Sequence, residues 1–534
     1  MMPIPLIRSS DTAPDVGGDR YGGQVLFAEV VSTSAAVAGT RSRKSKSAAL
    51  AALIEACAPD EVPIVVAWLS GEVPQGRLGI GWRTLVDARP EPSVTASWTV
   101  TDVNQILAEL AVTSGAGSVA RRKELLTRLM SGATDDEQAF LIRLLTGDMR
   151  QGAGEGVMTD AIAVGAGLPV DVVRRAFMLS GELPVTAAAA ISGGAAALQE
   201  FALQVGRPIR PMLASPATSL ADAHTALGGA VSVEYKLDGA RIQVHRKGDD
   251  VSIYTRTLND ITDRVPELVE LIRELPCESV VLDGETLALN DSGRPRPFQE
   301  TMSRFGATSK RELLLQPYFF DCLHLDGADL LDEPLSGRLE ALDRVASRHR
   351  IPSLVAPDLE TTEMHLEAAL SAGHEGIMIK SLDSVYAAGR RGKTWQKVKP
   401  EHTLDLVVLG AEWGYGRRTG FLSNLHLGAR DPDGGDAIMV GKTFKGLTDE
   451  LLRWQTDEFP KHERDRDDHT VYLEPDLVVE IELDGVQVSS RYPGGVALRF
   501  ARVLRYRPDK TPAQADSIDA VRSLLPGAGS TAQM

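Results

Sequence analysis

The spacing of apolar residues divides the chain into three regions of different character. From about residue 24 to 200, apolar residues recur at helical spacing, as they do between Leu125 and Leu129. Two aspartates, Asp135 and Asp136, precede another such run, as acidic residues do where a helix begins. This region is therefore predicted to be all helical, up to a break at residues 206–211 that contains two prolines and a glycine.

The second region, from about residue 212, alternates apolar and polar residues as β-strands do. Val231, Val233 and Tyr235 alternate with Ser232 and Glu234. Further strand-like runs lie at 242–244, 251–254, 280–282, 317–320 and 376–379, and helical stretches lie at 262–275, 336–348 and 362–372. The pattern predicts a domain in which sheets and helices are mixed.

The third region, from about residue 403 to 510, consists of short strand-like runs with frequent glycine turns, which predicts a small β-barrel. One helix is predicted after it, at 517–525. The fold class is therefore a multidomain α + α/β + β protein. The predicted domain bounds are a mobile extension at 1–22, a helical domain at 23–205, a mixed domain at 206–402, a β domain at 403–512 and a tail at 513–534.

Composition narrows the class of protein. Hydrophobic residues make up 43% and charged residues 24% of the 534 residues, as in ordinary globular proteins, and no apolar run is long enough to predict a membrane span. The three cysteines, Cys57, Cys277 and Cys322, lie far apart, which excludes a disulfide framework and a cysteine-rich zinc site and fits a cytoplasmic protein.

The net charge is 57 − 73 = −16, which taken alone argues against nucleic acid as a partner. Binding depends on where the charges lie, however, and two stretches are locally basic. The stretch from Gly376 to Pro400 has six basic residues and one acid, and so has the stretch from Gln487 to Lys510. Each stretch could neutralise phosphates or form a solvated loop face.

The segment Glu234–Arg241 carries the strongest candidate chemistry. A predicted strand ends at Lys236, and Asp238 and Gly239 turn the chain. A lysine can be a covalent nucleophile only as the neutral amine, which nearby cations or a metal ion favour, and a glycine lets the backbone approach a ligand closely. A lone Lys-x-Asp-Gly is more often an exposed lysine before a turn, so this motif does not decide the function by itself.

The motif is the first of six that occur in the order shared by covalent nucleotidyltransferases, over about 165 residues. The other five are Thr255-Arg256, Asp283-Gly-Glu285, Phe319-Phe-Asp321, Glu375-Gly-Ile-Met-Ile-Lys380 and Lys397-Val-Lys399. With them the chain resembles the ATP-dependent DNA ligases, in particular the compact three-domain accessory ligases of bacteria, from about residue 25 to 515. The resemblance implies a helical DNA-binding domain, an adenylation domain and a C-terminal OB-fold barrel.

The resemblance also implies roles for individual residues. Lys236 would become the AMP-lysine, Glu234 would read adenine and Phe320 would stack on it. Arg241 and Arg256 would contact the ribose, phosphate or nick strand, and Glu285 would hold the ribose or a metal ion. Phosphates would be neutralised by Arg391, Lys397 and Lys399, and Lys510 would also bind the ATP. Mg²⁺, or Mn²⁺ in its place, would be held by Glu285 and Glu375, as carboxylates hold such ions together with phosphates.

The implied partner is nicked duplex DNA, bound by a monomer that can encircle it, with no zinc and no membrane involved. Arg143, Arg150 and Gly152 would approach the minor groove or the phosphates. The segment from Leu498 to Lys510 resembles the last ligase motif, which swings onto the nucleotide for the first step, with a hinge near residues 399–403. A cytoplasmic location in association with the nucleoid follows from these expectations.

Two other functions remain open at this stage. An RNA ligase or a capping guanylyltransferase uses the same motifs, although the helical region of about 200 residues favours duplex DNA. A non-enzymatic nick-binding protein would not need a nucleophilic lysine. A P-loop at Gly392-Lys-Thr394 is rejected because Ala387 occupies the position where that motif needs a glycine.

Overall fold

The computed structural model describes residues 24–525, except residues 77, 88, 150, 292, 297, 307–313, 388–390 and 416–417. The predicted extension at 1–22 lies outside the described residues. The chain divides into two compact units, Met1–Ala202 and Leu203–Met534. Within the described ranges, no helix is both long enough and apolar enough to cross a membrane.

The first unit is helical where it is described. Helix α7 begins as its sequence predicts, because Thr134 caps it by accepting a hydrogen bond from the backbone N–H of Glu137. The core is built around Phe27, whose ring lies 5.6 Å from the ring of Trp68 and 5.5 Å from that of Phe140. The helices are α1 (Phe27–Gly39), α2 (Arg43–Ala56), α3 (Val62–Ser70), α4 (Trp82–Asp87), α5 (Val100–Val112), α6 (Ser118–Ser131), α7 (Asp135–Thr146), α8 (Glu155–Gly165), α9 (Val170–Ser180) and α10 (Leu183–Gln199).

The second unit combines sheets, helices and a barrel. Its strands are β1 (Leu213–Pro216), β2 (Val231–Lys236), β3 (Ala240–Lys247), β4 (Asp250–Thr255), β5 (Ser279–Ala288), β6 (Leu315–Leu325), β7 (Ala328–Asp329), β8 (Ser353–Val355), β9 (Gly376–Ser381), β10 (Arg391–Val398), β11 (His402–Trp413), β12 (Leu422–Ala429), β13 (Ile438–Thr443), β14 (Glu463–Arg466), β15 (Thr470–Leu473), β16 (Val478–Leu483), β17 (Gly485–Val488), β18 (Val496–Arg499) and β19 (Arg502–Tyr506). Its helices are α11 (Leu220–Leu227), α12 (Pro266–Arg273), α13 (Phe298–Gly306), α14 (Leu335–Ala346), α15 (Leu359–Ser371), α16 (Asp449–Glu458) and α17 (Ile518–Ser523).

Two sheets of the second unit bear on function. In the described residues the first sheet has the strand order β1-β10-β9-β2-β8 and the second has the order β4-β3-β5-β6-β7. Strand β6 is buried on both faces: Phe319 packs into the core that the second sheet shares with helices α12 and α14, and Phe320 lies on the opposite face. Because successive side chains of a strand point to opposite faces, Phe320 is directed toward the first sheet.

The C-terminal strands form a closed barrel. Neighbouring strands follow the order β13-β12-β11-β16-β19, and a bridge between Lys445 and Arg502 joins the two ends, with the N–H of Val503 donating to the Lys445 carbonyl at 3.0 Å. Along the chain, the hairpin formed by β17 and β18 lies between β16 and β19, which pair directly with each other. The predicted fold class, a helical region followed by a mixed domain and a β-rich region, is confirmed, while the domain bounds stay predictions.

Candidate active site

One face of the first sheet brings the candidate residues into rows. Strands β2 and β9 are antiparallel, with Lys236 opposite Gly376, Glu234 opposite Met378, and Ser232 opposite Lys380. On the other side of β9, strand β10 continues the last two rows, with a lysine opposite Met378 and a tryptophan opposite Lys380. Because alternate residues of a strand share one face, these side chains form one continuous surface of the first sheet, which we call the floor.

A cavity of about 460 Å³ lies between this floor and the second sheet. Seven of the residues singled out from the sequence line it: Glu234, Lys236, Arg241, Arg256, Glu285, Phe320 and Lys397. The described lining does not include Glu375, Lys399 or Lys510. Arg391 begins strand β10, and its side chain lies outside the described residues. The chain therefore assembles one cavity with several cationic side chains from residues that are up to 163 positions apart (234 to 397).

Lys236 is the last residue of β2, and its amine forms an ion pair with the carboxylate of Glu375. The backbone N–H of Glu375 in turn donates to the Lys236 carbonyl at 3.0 Å, so both residues are fixed at the strand ends. A Cβ added to Gly239 would lie 2.5 Å from the carbonyl oxygen of Thr286. Glycine at that position is thus required by the packing of the turn against β5.

An arginine of the barrel reaches the same place. Arg499, at the end of β18, donates to the two carboxylate oxygens of Asp238 at 2.6 and 3.1 Å and lies 3.6 Å from Glu375. Burial raises the pKa of Glu375, although the Lys236 charge opposes this effect. Burial also acts on Asp238, but the hydrogen bonds from Arg499 and Glu375 and the charges of Arg499 and Lys236 together outweigh it and hold the pKa of that carboxyl low.

Arg241 is held rigidly in the cavity wall. Its guanidinium donates to both carboxylate oxygens of Asp283, at 3.0 and 2.6 Å, and to the Met212 carbonyl at 2.7 Å. The hydroxyl of Tyr386 donates to the same carboxylate at 2.7 Å and accepts from the Met212 N–H at 3.0 Å. Burial disfavours the charged guanidinium, but Asp283 outweighs it and raises the pKa of Arg241. The site thus contains a guanidinium cation whose position and orientation are fixed by its hydrogen bonds.

Burial shifts the pKa values of two further cavity residues, Glu285 and Lys397. Burial raises the pKa of Glu285 to about 8, although the charges of Arg241 and Lys236 oppose this. Burial also lowers the pKa of Lys397, and the charges of Lys236 and Lys399 lower it further. Both shifts favour neutral side chains while the cavity holds no phosphate.

The donor set fits a hard divalent cation. Carboxylate oxygens are the ligands that Mg²⁺ prefers, and a cation would favour the ionised form of Glu285 that burial disfavours. Within the described ranges, no group of three or more histidine, cysteine, aspartate or glutamate side chains is arranged to hold a metal ion. Other ligands, such as phosphate oxygens, would therefore have to complete the coordination.

The far end of the cavity is aromatic and contains a buried ion pair. The Lys380 amine lies 2.5 Å from Glu234 Oε2, 4.3 Å from the ring centre of Phe320 and 4.2 Å from that of Trp395. The guanidinium of Arg241 lies 5.4 Å from the Phe320 ring on the neighbouring sheet. Phe320 therefore presents a flat apolar surface among cations, which suits a planar ring system.

Two predicted phosphate contacts are engaged within the protein. Lys399 forms an ion pair with Asp484, in the segment just before the β17–β18 hairpin. Lys510 forms an ion pair with Asp405 on β11, and Arg507 donates to the same carboxylate at 3.0 Å. In this arrangement Arg499, not Lys510, is the barrel residue beside Lys236.

The predicted DNA contacts lie in the first unit. Arg143 is in the last turn of α7, with its guanidinium 6.0 Å from the Phe140 ring. Gly152 has a left-handed backbone (φ +67°), and its carbonyl accepts from Lys46 at 3.0 Å. Arg150 lies outside the described residues.

Local sequence reasoning missed Arg499, Trp395 and Tyr386 as site residues. Arg499 belongs to the basic stretch from Gln487 to Lys510, but nothing in that sequence distinguishes it from the other basic residues there. Trp395 and Tyr386 lie within the basic stretch from Gly376 to Pro400 as isolated aromatic residues, a signal that core packing explains equally well.

Comparisons with known families match most of the chain. Residues 86–163 match the family described as DNA ligase N terminus, residues 211–399 match the ATP dependent DNA ligase domain, and residues 418–510 match the ATP dependent DNA ligase C terminal region. The central match contains every cavity residue singled out above.

Whole-chain relatives agree with the family matches. A protein of Rhodococcus jostii named "Probable DNA ligase" is 71% identical over 503 residues, covering 94% of this chain and 100% of the relative. A protein of Nocardia farcinica with the same name is 65% identical over 523 residues, covering 94% and 100%. The solved structure Pmar-Lig_Pre has a TM-score of 0.60 at 18% identity, covering 90% of this chain and 99% of that chain, which shows a shared fold.

Proposed function

Because this chain belongs to the ATP-dependent DNA ligase family, we propose that Lys236 is the amine that carries AMP while the enzyme seals nicks in duplex DNA. The observation that carries this assignment is the position of Lys236 at the end of β2, inside a cavity whose other walls bear Arg241, Glu285 and Lys397. A lysine placed among groups that neutralise phosphate is suited to attack a phosphorus atom.

In the first step the neutral Lys236 amine attacks the α-phosphorus of ATP. A phosphorus–nitrogen bond forms, the bond to the β-phosphate oxygen breaks, and pyrophosphate leaves with that electron pair. The Glu375 carboxylate lies against the amine and receives its proton, which the burial that raises the pKa of Glu375 favours. Arg241 and Lys397 offset the phosphate charge that develops.

In the next two steps AMP passes through DNA. An oxygen of the 5′-phosphate at the nick attacks the adenylate phosphorus, the phosphorus–nitrogen bond breaks, and Lys236 regains a proton. The 3′-hydroxyl then attacks the activated 5′-phosphate, losing its proton as AMP leaves, and the strand is continuous. The covalent intermediate divides one difficult displacement into easier ones.

Glu285 and Glu375 would hold Mg²⁺, or Mn²⁺ in its place, together with phosphate oxygens. When bound, such an ion supplies positive charge that polarises the phosphate oxygens. The cavity's own residues orient the nucleotide: Phe320 stacks on adenine and Glu234 reads it. Contacts to the ribose, phosphates or nick strand fall to the cavity residue Arg256 and to the basic residues Arg391 and Lys399.

The barrel must turn for Lys510 to take part. Lys510 pairs with Asp405, whereas Arg499 pairs with Asp238 beside the nucleophile. Bringing Lys510 to the pyrophosphate of ATP therefore requires the contacts of Arg499 and of Lys399 with Asp484 to break. The rotation would take place about residues 399–403, a short connection of the kind that absorbs hinge motions.

The substrate contacts of the first unit complete the proposal. Arg143, Arg150 and Gly152 approach the minor groove or the phosphates of the duplex, where lysine and arginine replace counterions. The enzyme acts as a monomer whose domains encircle the nicked DNA.

Labelling with [α-³²P]ATP and a divalent cation tests the central assignment. The wild-type enzyme is expected to become labelled, and Lys236→Ala is expected to lose the label below detection because no other amine replaces the nucleophile. Lys247→Ala, which removes an exposed lysine at the end of β3, is the matched control and keeps the label.

Nick binding by Lys236→Ala should stay near the wild-type value, since binding needs no nucleophile. Retained labelling of Lys236→Ala would exclude Lys236. Labelling by GTP in preference to ATP would instead indicate a capping enzyme.

A further inference from the structure

A buried ion pair forms part of the cavity wall that lies beyond the nucleophile. Lys380 and Glu234 are each 1% exposed, and the amine lies 2.5 Å from Glu234 Oε2, while Oε1 accepts from the Ser232 hydroxyl at 3.1 Å. Glu234 is two residues from Lys236 along β2, about 7 Å at the rise of a strand. A nucleotide whose α-phosphate meets Lys236 thus extends its base toward this pair.

The ammonium group of Lys380 is surrounded by protein partners among the described residues. Besides Glu234, its amine has the Phe320 carbonyl at 3.5 Å and the ring faces of Phe320 and Trp395 at 4.3 and 4.2 Å. An ammonium group has three donors, and these partners occupy them. Lys380 therefore acts on a nucleotide through the Glu234 carboxylate, which it pairs with and orients.

Trp395 adds a second recognition group to the same wall. It lines the cavity and is 2% exposed, yet its indole N–H has no hydrogen-bond acceptor among the described residues. Buried donors are normally paired, so an acceptor on a bound ligand would complete this one. The wall thus offers a carboxylate acceptor, Glu234, and one donor without a partner among the described residues, Trp395, which matches a base that has an amino group and ring nitrogens.

We propose that Lys380 determines which purine this ligase accepts, by holding the Glu234 carboxylate in place as the acceptor for a 6-amino group. A purine with a 6-oxo group would place an oxygen against the carboxylate, and two acceptors cannot pair. The inference rests on the proposed role of Glu234 in reading the base. It makes Lys380 a positioning residue for specificity, since its ammonium does not itself contact the base.

Inosine triphosphate tests this inference because it carries a 6-oxo group where ATP carries the amino group. The measurement is kcat/KM for self-nucleotidylation with each triphosphate, followed by intact-protein mass spectrometry. The wild type is expected to prefer ATP by at least about 10-fold. Lys380→Met should reduce this preference by about 10-fold, mainly through a higher KM for ATP, whereas Lys380→Arg, which keeps a cation, should retain more of it.

A double-mutant cycle with Glu234→Gln separates specificity from folding. Removing both charges together leaves no unpaired buried charge. The double variant is therefore expected to fold, and its ATP preference can be measured, even if Lys380→Met alone does not fold. If Lys380 acts through Glu234, adding Lys380→Met to Glu234→Gln changes the ATP preference no further. Lys442→Met, which removes a Lys–Glu pair on the barrel, is the matched control and should leave the preference unchanged.

Three outcomes overturn the inference while leaving the ligase mechanism standing. The first is an equal loss for both triphosphates in Lys380→Met, and the second is an effect that adds fully to that of Glu234→Gln. A wild-type enzyme that forms adducts without preferring ATP would overturn it as well. Failure of the wild type to form any adduct would instead remove the proposed role of Lys236.

Discussion

At the scale of single residues, the cavity carboxyl of Glu285 couples folding to pH. Burial raises its pKa to about 8 in the folded protein, against 4.5 for an ordinary glutamate. Between these values the folded state keeps a proton that the unfolded state has lost, so the free energy of unfolding falls as the pH rises through this window. Below pH 4.5 both states are protonated and the effect vanishes.

Glu285→Gln should therefore change the pH profile of stability, because glutamine has no proton to lose. In the absence of nucleotide and metal, the variant is expected to melt at a higher temperature than the wild type at pH 8.5, and at nearly the same temperature at pH 4.5. Thermal unfolding across this range checks the expectation, with Glu274→Gln as an exposed control. Melting curves that stay parallel at every pH would contradict it.

Single residues also show which parts of the site could be predicted from the sequence and which could not. The order of the motifs was enough to select seven of the residues that line the cavity, because each motif is local and its strand is short. The Arg499–Asp238 pair joins positions 261 residues apart, and the basic stretch around Arg499 contains five other cations. Only the packing of the β17–β18 hairpin selects among them, and no local pattern encodes that packing.

At the scale of elements, the segment that follows the last strand of the barrel contains Lys510, which is expected to act in only one of the three reaction steps. Lys510 follows β19 and is paired with Asp405 at the start of the barrel, outside the cavity lining. Its proposed partner, pyrophosphate, is present only while Lys236 is being adenylated. Its contribution should therefore be confined to the first of the three steps.

Lys510→Ala is expected to slow self-adenylation by about 10- to 100-fold, as the loss of one group that stabilises transition-state charge does. Sealing of a nick that is already adenylated should change much less. Both rates can be followed separately by single-turnover assays, and Lys461→Ala, on the exposed surface of the barrel, is the control. Equal losses in the two assays would speak against the turning barrel.

Elements also explain which parts of the fold were predictable. The predicted helix at 262–275 is divided into a short turn at Thr262–Arg264 and helix α12, because Pro266 starts a helix more readily than it continues one. The strand predicted at 317–320 extends over Leu315–Leu325, since β6 is buried on both faces and does not alternate. Alternation found β2 at almost its full length because polar residues occupy one of its faces, although both faces are buried, and it shortened β6, in which both faces are largely apolar.

At the scale of the whole molecule, an acidic ligase must bind an acidic polymer. The net charge of −16 repels DNA at long range, so affinity depends on the locally basic stretches that lie at the cavity and on the barrel. Binding through such stretches releases counterions from the duplex. Nick affinity is therefore expected to fall steeply, by about 10³-fold or more between 50 and 200 mM salt if six or more phosphates are contacted.

Titration of a labelled nick at several salt concentrations checks this expectation with the full-length protein. A neutral osmolyte added in place of salt provides the control, because it changes water activity without supplying ions. An affinity that is insensitive to salt would argue against extensive phosphate contact and against encirclement of the duplex.

The fluorescence of the Trp395 indole can report whether the cavity is occupied. The ring is buried in the wall, 6.2 Å from Phe320 and 6.1 Å from Tyr386 between ring centres, and the Lys380 charge lies over its face. Indole fluorescence responds to nearby charge and to hydrogen bonding, so filling the cavity will alter its emission. Occupancy by ATP, and its exchange for AMP on Lys236, can thus be followed in real time without any attached dye.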